Sequence, residues 1–394
     1  MSAADADDRS EIGRDDLDAQ VGTADLRAVR LIDLLGRTRA ALGLRRLSAP
    51  ALVCVPLGAI IGPAGLGWVP QTTLGHLYPV IAVGLAAIGI FVGFGVALAR
   101  RDDRRLLVIA SLEALITIVV VAAACAWLFA SWDLGTASRT ALLAIVLGVC
   151  ASASSASIGE PGESPRRHAA MRIAELDDVL PILVGGIILS FSTGADVAAA
   201  LTLVALGLAV PVAVALAGWL LFERAHDDAE RYVFVIGVVA LLGGVAAYLG
   251  VSPLLAGMVA GVFWKYSPGR SDAVIRGDLR RIQRPLVVLL LIFAGAAAEM
   301  SYLALWLSGA YVMTRLCAKL LGGWIASRAT PTLSPADLGS YLLPPGMMGL
   351  GFALSFHLVT FSVTSAAVLT AVALGTLASE LIAAVALLGP RGAA

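Results

Sequence analysis

Charged side chains inside long apolar stretches are the residues of this sequence best suited to chemistry. Asp177 and Asp178 are adjacent and precede an apolar run, and Lys319 stands within another. Carboxylates bind hard cations through oxygen, and a buried lysine can release its proton whereas an arginine cannot. The chain has only two lysines and uses arginine elsewhere. We therefore predict ion-binding and proton-exchange chemistry at these three residues.

Other charges within apolar stretches have plainer explanations. Arg315 lies one helical turn before Lys319, and we expect it to form a permanent structural ion pair with Glu113 or Glu380. Such a pair would hold helices together, since a charge in an apolar environment needs a partner. A hydrogen-bonded carboxylate pair inside a helix bundle, and a permanently paired lysine, are the structural alternatives for the first three residues.

The composition identifies the environment of these charges. Of the 394 residues, 59% are hydrophobic and 14% are Asp, Glu, Lys or Arg, against roughly 25% charged residues in an ordinary soluble protein. The mean hydropathy is +0.89. Because 28 basic residues balance 28 acidic ones, the chain has no basic excess to attract nucleic acid. These values exclude a soluble globular enzyme, a disordered protein and a nucleic-acid-binding protein.

Apolar segments of about 20 residues recur along the chain, as expected for helices that cross a hydrocarbon core of about 30 Å. The strands of an outer-membrane barrel would instead alternate over about 10 residues. We predict an all-α membrane protein with twelve transmembrane helices, within a transmembrane domain of residues 49–390. The segments are 50–69, 77–98, 106–130, 140–158, 165–191, 195–222, 231–250, 252–266, 282–299, 302–326, 339–361 and 363–388.

The positive charges predict the orientation of these helices. If the N-terminus is inside, 25 of the 28 Lys and Arg residues lie in cytoplasmic segments, Arg139 lies outside, and Arg315 and Lys319 lie within a span. A missed span would invert every later loop, so this asymmetry supports the twelve segments. We predict a multi-pass protein of the cell membrane with both termini in the cytoplasm.

Residues 1–48 precede the first apolar segment and are polar. Residues 1–25 are acidic and lack the apolar core of a secretory signal. Residues 26–46 place leucine and isoleucine at helical spacing among six arginines, a pattern typical of an amphipathic helix on an anionic membrane surface. A solvated cytoplasmic tail is the alternative.

Two of the predicted helices are interrupted by small, hydroxylated, glycine or proline residues. Segment four ends in 148–157, which contains Ser154 and Ser155, and segment eleven contains 344–351, which begins with two prolines. Interrupted helices at corresponding positions of two repeats indicate the binding site of a transporter. Segments 3–5 and 10–12 would then be inverted repeats.

The depth of the carboxylate pair favours a functional role. A helix that begins at Pro165 would place Asp177 and Asp178 about 20 Å along its axis, near the middle of the membrane. Neighbouring residues point about 100° apart on a helix, so one carboxylate can face a water-filled cavity while the other faces a helix. Each charge at that depth costs at least about 2.5 kcal/mol.

Six stretches, in order along the chain, resemble the patterns of the monovalent cation:proton antiporter superfamily, of the sodium/proton exchanger type. They are 58–67, 88–95 with the following Arg100 and Arg101, the double aspartate in 176–180, then 251–261, 315–322 and 343–351. The resemblance covers about residues 50–388. The sequence departs from many relatives in its polar N-terminal region, in Ala318 where glycine is usual, and in the serines of the fourth segment.

The resemblance implies an elevator-type transporter, with a core domain built around two crossed broken helices, helices 4 and 11, and a separate dimerisation domain in a homodimer. It implies exchange of Na⁺, Li⁺ or K⁺ for protons, and its double-aspartate branch implies electrogenic exchange. By matching position, Asp178 is the cation ligand and Asp177 the partner of Lys319. No cofactor is implied, and the expected partners are the transported ions and the lipid bilayer.

On this basis we expect a proton and Na⁺ to compete for Asp178, with oxygen atoms near Ser154 and Ser155 completing the shell of the cation. Lys319 would lose Asp177 when the cation binds and release a second proton. A sodium-coupled symporter of a small organic anion on a related fold is the nearest alternative. An intramembrane aspartyl protease needs two aspartates on different helices, which neighbouring residues do not provide.

Overall fold

The computed structural model describes residues 50–96, 101–132, 136–155, 165–268, 271–329 and 338–388. Fifteen helices form these ranges, and the only β-type pairing within them is one isolated bridge. The polar tail and amphipathic helix predicted for residues 1–48 lie outside the described residues. The described part of the chain is therefore all-α, as the apolar segments predicted.

The helices follow the predicted apolar segments, with two subdivisions and one additional short helix, Gln71–His76, between the first and second segments. The fifth segment is divided into α6 and α7, and the eleventh into α13 and α14. The helices are α1 (Ala51–Ile61), α2 (Gln71–His76), α3 (Tyr78–Gly95), α4 (Arg101–Ser131), α5 (Ala137–Ser152), α6 (Pro165–Leu176), α7 (Val179–Thr193), α8 (Val197–Arg224), α9 (Asp228–Leu249), α10 (Pro253–Tyr266), α11 (Ser271–Ala296), α12 (Tyr302–Ala329), α13 (Leu338–Tyr341), α14 (Met347–Thr360) and α15 (Val363–Leu388).

Five helices of the described ranges are long and apolar enough to cross a membrane. They are α3, α8, α9, Asp103–Ser131 of α4 and Val363–Ile382 of α15. Four shorter apolar helices accompany them, namely Ala51–Ile61, Arg139–Ser152, Pro285–Ala296 and Met347–Thr360. The chain is a multi-pass membrane protein. The long apolar spans number fewer than the twelve predicted, because several apolar segments are made of shorter helices and the 28-residue α12 carries three basic residues.

Large apolar side chains cover the outer face of α8. Leu201, Leu208 and Leu216 are exposed over 56%, 42% and 45% of their surface. Apolar surface contributes about 25 cal/mol per Å² when it leaves water, so a row of such residues is unfavourable in water and favourable in lipid. The face has the pattern of a membrane helix.

Glycines allow the backbones of α3 and α10 to touch. A Cβ on Gly89 of α3 would lie 2.2 Å from the carbonyl oxygen of Leu254, and one on Gly257 of α10 would lie 2.0 Å from that of Ala86. The same relation recurs one turn later on each helix, at Gly93 and Gly261. Each helix therefore carries two glycines four residues apart, the spacing that permits close packing of membrane helices.

Side-chain and glycine caps determine where the helices around this interface begin and end. Ser252 caps α10 by accepting a hydrogen bond from the backbone N–H of Leu255 at 3.3 Å. Before it, α9 ends at Gly250, which has a φ of +68°, a left-handed conformation that glycine adopts without strain. These caps satisfy backbone groups that a helix end leaves without partners.

The long helix α4 contacts helices from several other apolar segments. It packs along α5 and α12 and also contacts α6 and α7. In turn, α15 packs against α12 and α14. Residues of the fourth, fifth and tenth apolar segments are thus brought together around α4.

Candidate functional site

Asp177 and Asp178 form the two-residue turn between α6 and α7. Helical hydrogen bonds continue on both sides, from the N–H of Asp177 to the carbonyl of Ile173 at 2.9 Å and from Ile182 to Asp178 at 3.1 Å. Pro181 has no N–H to donate to the carbonyl of Asp177, which accounts for the break. The continuous helix predicted for this segment is therefore wrong, and the interruption falls at the two carboxylates.

Both carboxyl groups are removed from solvent. Asp177 is fully buried and Asp178 is 8% exposed. The Oδ1 atom of each has no hydrogen-bond partner within the described residues. A buried oxygen without a partner is unfavourable by about 1–3 kcal/mol, and a proton or a cation would satisfy it. The two Oδ1 atoms are thus the free acceptors of the site.

Lys319 projects from α12 into the same cluster and is fully buried. Its Nζ lies 3.1 Å from Oε2 of Glu113 and 3.3 Å from Oδ2 of Asp177, and it donates a further hydrogen bond to the carbonyl oxygen of Ser152. An ammonium group has three donors, so each one has an acceptor. The structure brings Lys319 and Asp177 together and adds a second carboxylate.

Glu113 is the residue whose place the sequence did not predict. It is fully buried on α4 and pairs with Lys319 rather than with Arg315. Its other oxygen, Oε1, accepts a hydrogen bond from Thr117 at 3.0 Å. The sequence did contain one signal for the burial of Glu113, namely Thr117 one helical turn later. A buried carboxylate needs more than one hydrogen-bond donor.

The guanidinium of Arg315 bonds backbone carbonyls rather than a carboxylate. Nε donates to Ala151 at 3.1 Å, and the two Nη atoms donate to Leu343 at 2.8 Å and to Ala153 at 3.2 Å. The predicted ion pair with Glu113 is therefore wrong. Interrupted helices leave carbonyl groups without partners, and an arginine offers five donors in a rigid plane.

Glu380 and Glu175 make other contacts. Glu380 lies near the backbone N–H of Leu52 in the first turn of α1, so its predicted pairing with Arg315 is also wrong. A carboxylate is favoured there because the N-terminus of a helix carries partial positive charge. Glu175 is exposed and forms an ion pair with Arg172 one turn earlier.

Two extended segments meet beside the charged cluster. Ser154, after the end of α5, and Pro345, before the start of α14, form an isolated antiparallel bridge. The backbone N–H of Ser155 donates to the carbonyl of Pro344 at 3.0 Å. Unwound backbone is tolerated in a membrane where it is buried in protein or lines a cavity. The pairing satisfies polar groups that the two interruptions would otherwise leave unbonded.

The serines predicted as ligands lie at this pairing. The Ser154 hydroxyl donates to the carbonyl of Leu342 at 3.1 Å and also faces the carboxyl of Asp177. A hydroxyl that donates its proton keeps lone pairs for a cation. Ser155 is half-buried. Over the described ranges, no group of three His, Cys, Asp or Glu side chains could hold a metal ion, so a cation here would need hydroxyl or carbonyl oxygens besides the aspartates.

Comparison with known proteins identifies the fold. No family model matches this chain, and no curated protein matches it. The chain is similar to the solved structure of the sodium proton antiporter MjNhaP1 from Methanocaldococcus jannaschii at pH 8, with 16% identity over 89% of this chain and 96% of that chain. The TM-score is 0.68. This protein therefore has the fold of a membrane antiporter.

Proposed function

We propose that this protein is a secondary active transporter that exchanges Na⁺ for protons across the cell membrane. One observation carries the proposal: Asp177 and Asp178 are buried at a helix break, each with an oxygen that lacks a partner in the part of the chain that the structure describes, and Lys319 lies against Asp177. The likeness of fold to a sodium proton antiporter supports the same activity. A charge buried in a membrane costs free energy, and charged residues in membrane-spanning segments commonly mark ion pathways.

Asp178 is the residue at which the proton and the cation compete. Na⁺ displaces the proton of the Asp178 carboxyl group, and the resulting carboxylate ligates the ion. Further oxygen ligands come from Asp177 and from the hydroxyl groups of Ser154 and Ser155, because hard cations prefer oxygen. When Asp178 is protonated again, Na⁺ is released. Since only one of the two can occupy the carboxylate, a gradient of either drives transport of the other.

The exchange is proposed to be electrogenic. The second proton binds to the pair of Asp177 and Lys319 when the cation leaves. Two protons inward for one Na⁺ outward move one net charge, which contributes about 2.3 kcal/mol per cycle at 100 mV. An imposed membrane potential should therefore change the rate of exchange, and an unchanged rate would argue for one-for-one stoichiometry.

The architecture proposed for this mechanism has twelve transmembrane segments and cytoplasmic termini, with residues 1–48 as a cytoplasmic tail and 49–390 as the transmembrane domain. The fourth and eleventh segments are the crossed broken helices of the core, a view supported by the bridge between Ser154 and Pro345. The core moves as an elevator against a dimerisation domain in a homodimer. Mass spectrometry of the protein in detergent would measure the number of subunits.

Reconstituted vesicles test the exchange. A pH gradient is imposed, and NaCl, LiCl or KCl is added in turn while an internal dye reports the pH. We expect Na⁺ to dissipate the gradient in wild type. Asp178→Asn, which has a similar shape and no charge, should lose this response. Glu175→Gln removes an exposed carboxylate three residues earlier and should keep it.

The outcomes separate the candidate functions. Full Na⁺-dependent proton movement by Asp178→Asn would contradict the assignment of the cation site. Na⁺ uptake that requires an organic anion and moves no protons would instead identify the symporter. No cation effect on the gradient in wild type, with intact protein in the vesicles, would refute the exchange itself.

A further inference from the structure

Lys319 has two carboxylate partners, and they differ in how firmly they are held. Oε2 of Glu113 lies 3.1 Å from Nζ, and Oε1 accepts the hydrogen bond of Thr117 at 3.0 Å. Oδ2 of Asp177 lies 3.3 Å from Nζ, whereas its Oδ1 lacks a partner among the described residues. Both oxygens of Glu113 therefore have a partner, whereas one oxygen of Asp177 remains available to bind something else.

The backbone positions of the two carboxylates reinforce this difference. Glu113 lies within the long helix α4, whereas Asp177 lies in the two-residue turn between α6 and α7. Where α12 meets α4, a Cβ on Gly322 would lie 3.3 Å from Oε1 and from the carbonyl oxygen of Glu113. The helices thus meet closely around Glu113, so this side chain has little room to move. Of the two partners of Lys319, Asp177 is the one placed to turn away.

The formal charges of the buried cluster do not balance. The buried charges are three carboxylates, those of Glu113, Asp177 and Asp178, and two cations, those of Arg315 and Lys319. With all five ionised the cluster carries one net negative charge, which a single Na⁺ would neutralise. Without Glu113 the other four would sum to zero. In a poorly screened interior, the loss of that charge weakens the attraction for a cation.

We propose that Glu113 is a positioning residue of the cation site, which keeps the Lys319 ammonium bound on the α4 side so that Asp177 is free to turn to the cation. The inference rests on the proposed function. Glu113 does not touch the ion and acts through Lys319. In its absence Lys319 has Asp177 as its remaining carboxylate partner, and Na⁺ must compete with an ammonium group for that side chain.

The test compares the KM for Na⁺ with the maximal rate in reconstituted vesicles. We expect Glu113→Gln to raise the KM by about tenfold or more, because a buried charge that supports the site is removed. The maximal rate at saturating Na⁺ should change by less than about threefold, since the residues that bind the ions remain. Glu175→Gln, the exposed control, should have the KM of wild type.

A second substitution distinguishes this role from a merely structural one. The double variant Glu113→Gln with Lys319→Gln removes one charge of each sign, so it restores the net charge and frees Asp177. We expect its KM for Na⁺ to be lower than that of Glu113→Gln by about threefold or more, because the two changes are coupled through one contact. A structural defect caused by Glu113→Gln would not be rescued by a second change in the core.

Thr117→Val provides an independent measurement if Glu113→Gln does not fold. It removes the hydrogen bond to Oε1 and keeps the charge, and we expect the KM to rise about threefold. If wild type is active and neither single variant raises the KM, the inference is refuted while the proposed function stands. If wild type moves no protons on addition of Na⁺, the proposed function fails instead.

Discussion

Gly257→Ala is the perturbation whose magnitude the structure determines most directly. The added Cβ would lie 2.0 Å from the carbonyl oxygen of Ala86, where ordinary contact begins at 3.4 Å. The missing 1.4 Å lies between two helix backbones, so α3 and α10 must separate. A gap of 0.5–1 Å already forfeits about a quarter to a half of each dispersion contact, and this interface has backbone contacts at three further glycines.

Two opposing contributions determine how Gly257→Ala changes the free energy of unfolding. Overpacking of a well-packed interface costs about 1–3 kcal/mol, whereas alanine improves helix propensity over glycine by about 1 kcal/mol. We expect a net destabilisation of up to about 2 kcal/mol relative to wild type. In a protein of this size that corresponds to a melting temperature lower by a few degrees.

Thermal unfolding of the purified protein in detergent measures this difference. Gly244→Ala is the matched control, because it adds the same methyl group within α9, where no atom of the described residues lies within 4 Å of the new atom. The control should melt at or slightly above the temperature of wild type. If Gly257→Ala melts as high as Gly244→Ala, the close approach of α3 and α10 does not limit stability and the reasoning is refuted.

Two further predictions use the same thermal assay. Arg315→Met removes the guanidinium donor from the carbonyls of Ala151 and Leu343, whereas the Ala153 carbonyl keeps the N–H of Gly346 as a donor. Each unpaired carbonyl costs about 1–3 kcal/mol, so we expect a larger fall in melting temperature than for Gly257→Ala, and a smaller one would mean that other donors replace the guanidinium. Ser252→Ala removes the buried cap of α10 and should cost about 1 kcal/mol; an unchanged melting temperature would show that the backbone N–H finds another acceptor.

The carboxylate pair could be located from the sequence, but the helix break beneath it could not. An apolar run with Pro165 at its start predicts a helix, and the polar Asp177 and Asp178 do not by themselves end one. The relevant signal is Pro181, four residues after Asp177, because a proline in a helix leaves the carbonyl four residues earlier without a donor. In α8, Pro211 lies within a continuous helix, so proline alone does not predict a break.

The partner of each buried cation depends on tertiary packing. Arg315 and Lys319 lie one turn apart on α12, and sequence alone cannot tell which of them meets Glu113. The way α12 packs across α4 determines which cation meets Glu113. This packing places Lys319 at Glu113 and Arg315 at the ends of the interrupted segments. The need for a donor at unbonded carbonyls is a general rule, but its application requires knowing where the two breaks meet.

The guanidinium of Arg315 links the two interrupted segments to each other and to α12. Arg315 bonds Ala153 on one side and Leu343 on the other, and the N–H of Gly346 donates to the same Ala153 carbonyl at 3.1 Å. A displacement of α12 would therefore move both interrupted segments together. One segment cannot change its conformation without affecting the other.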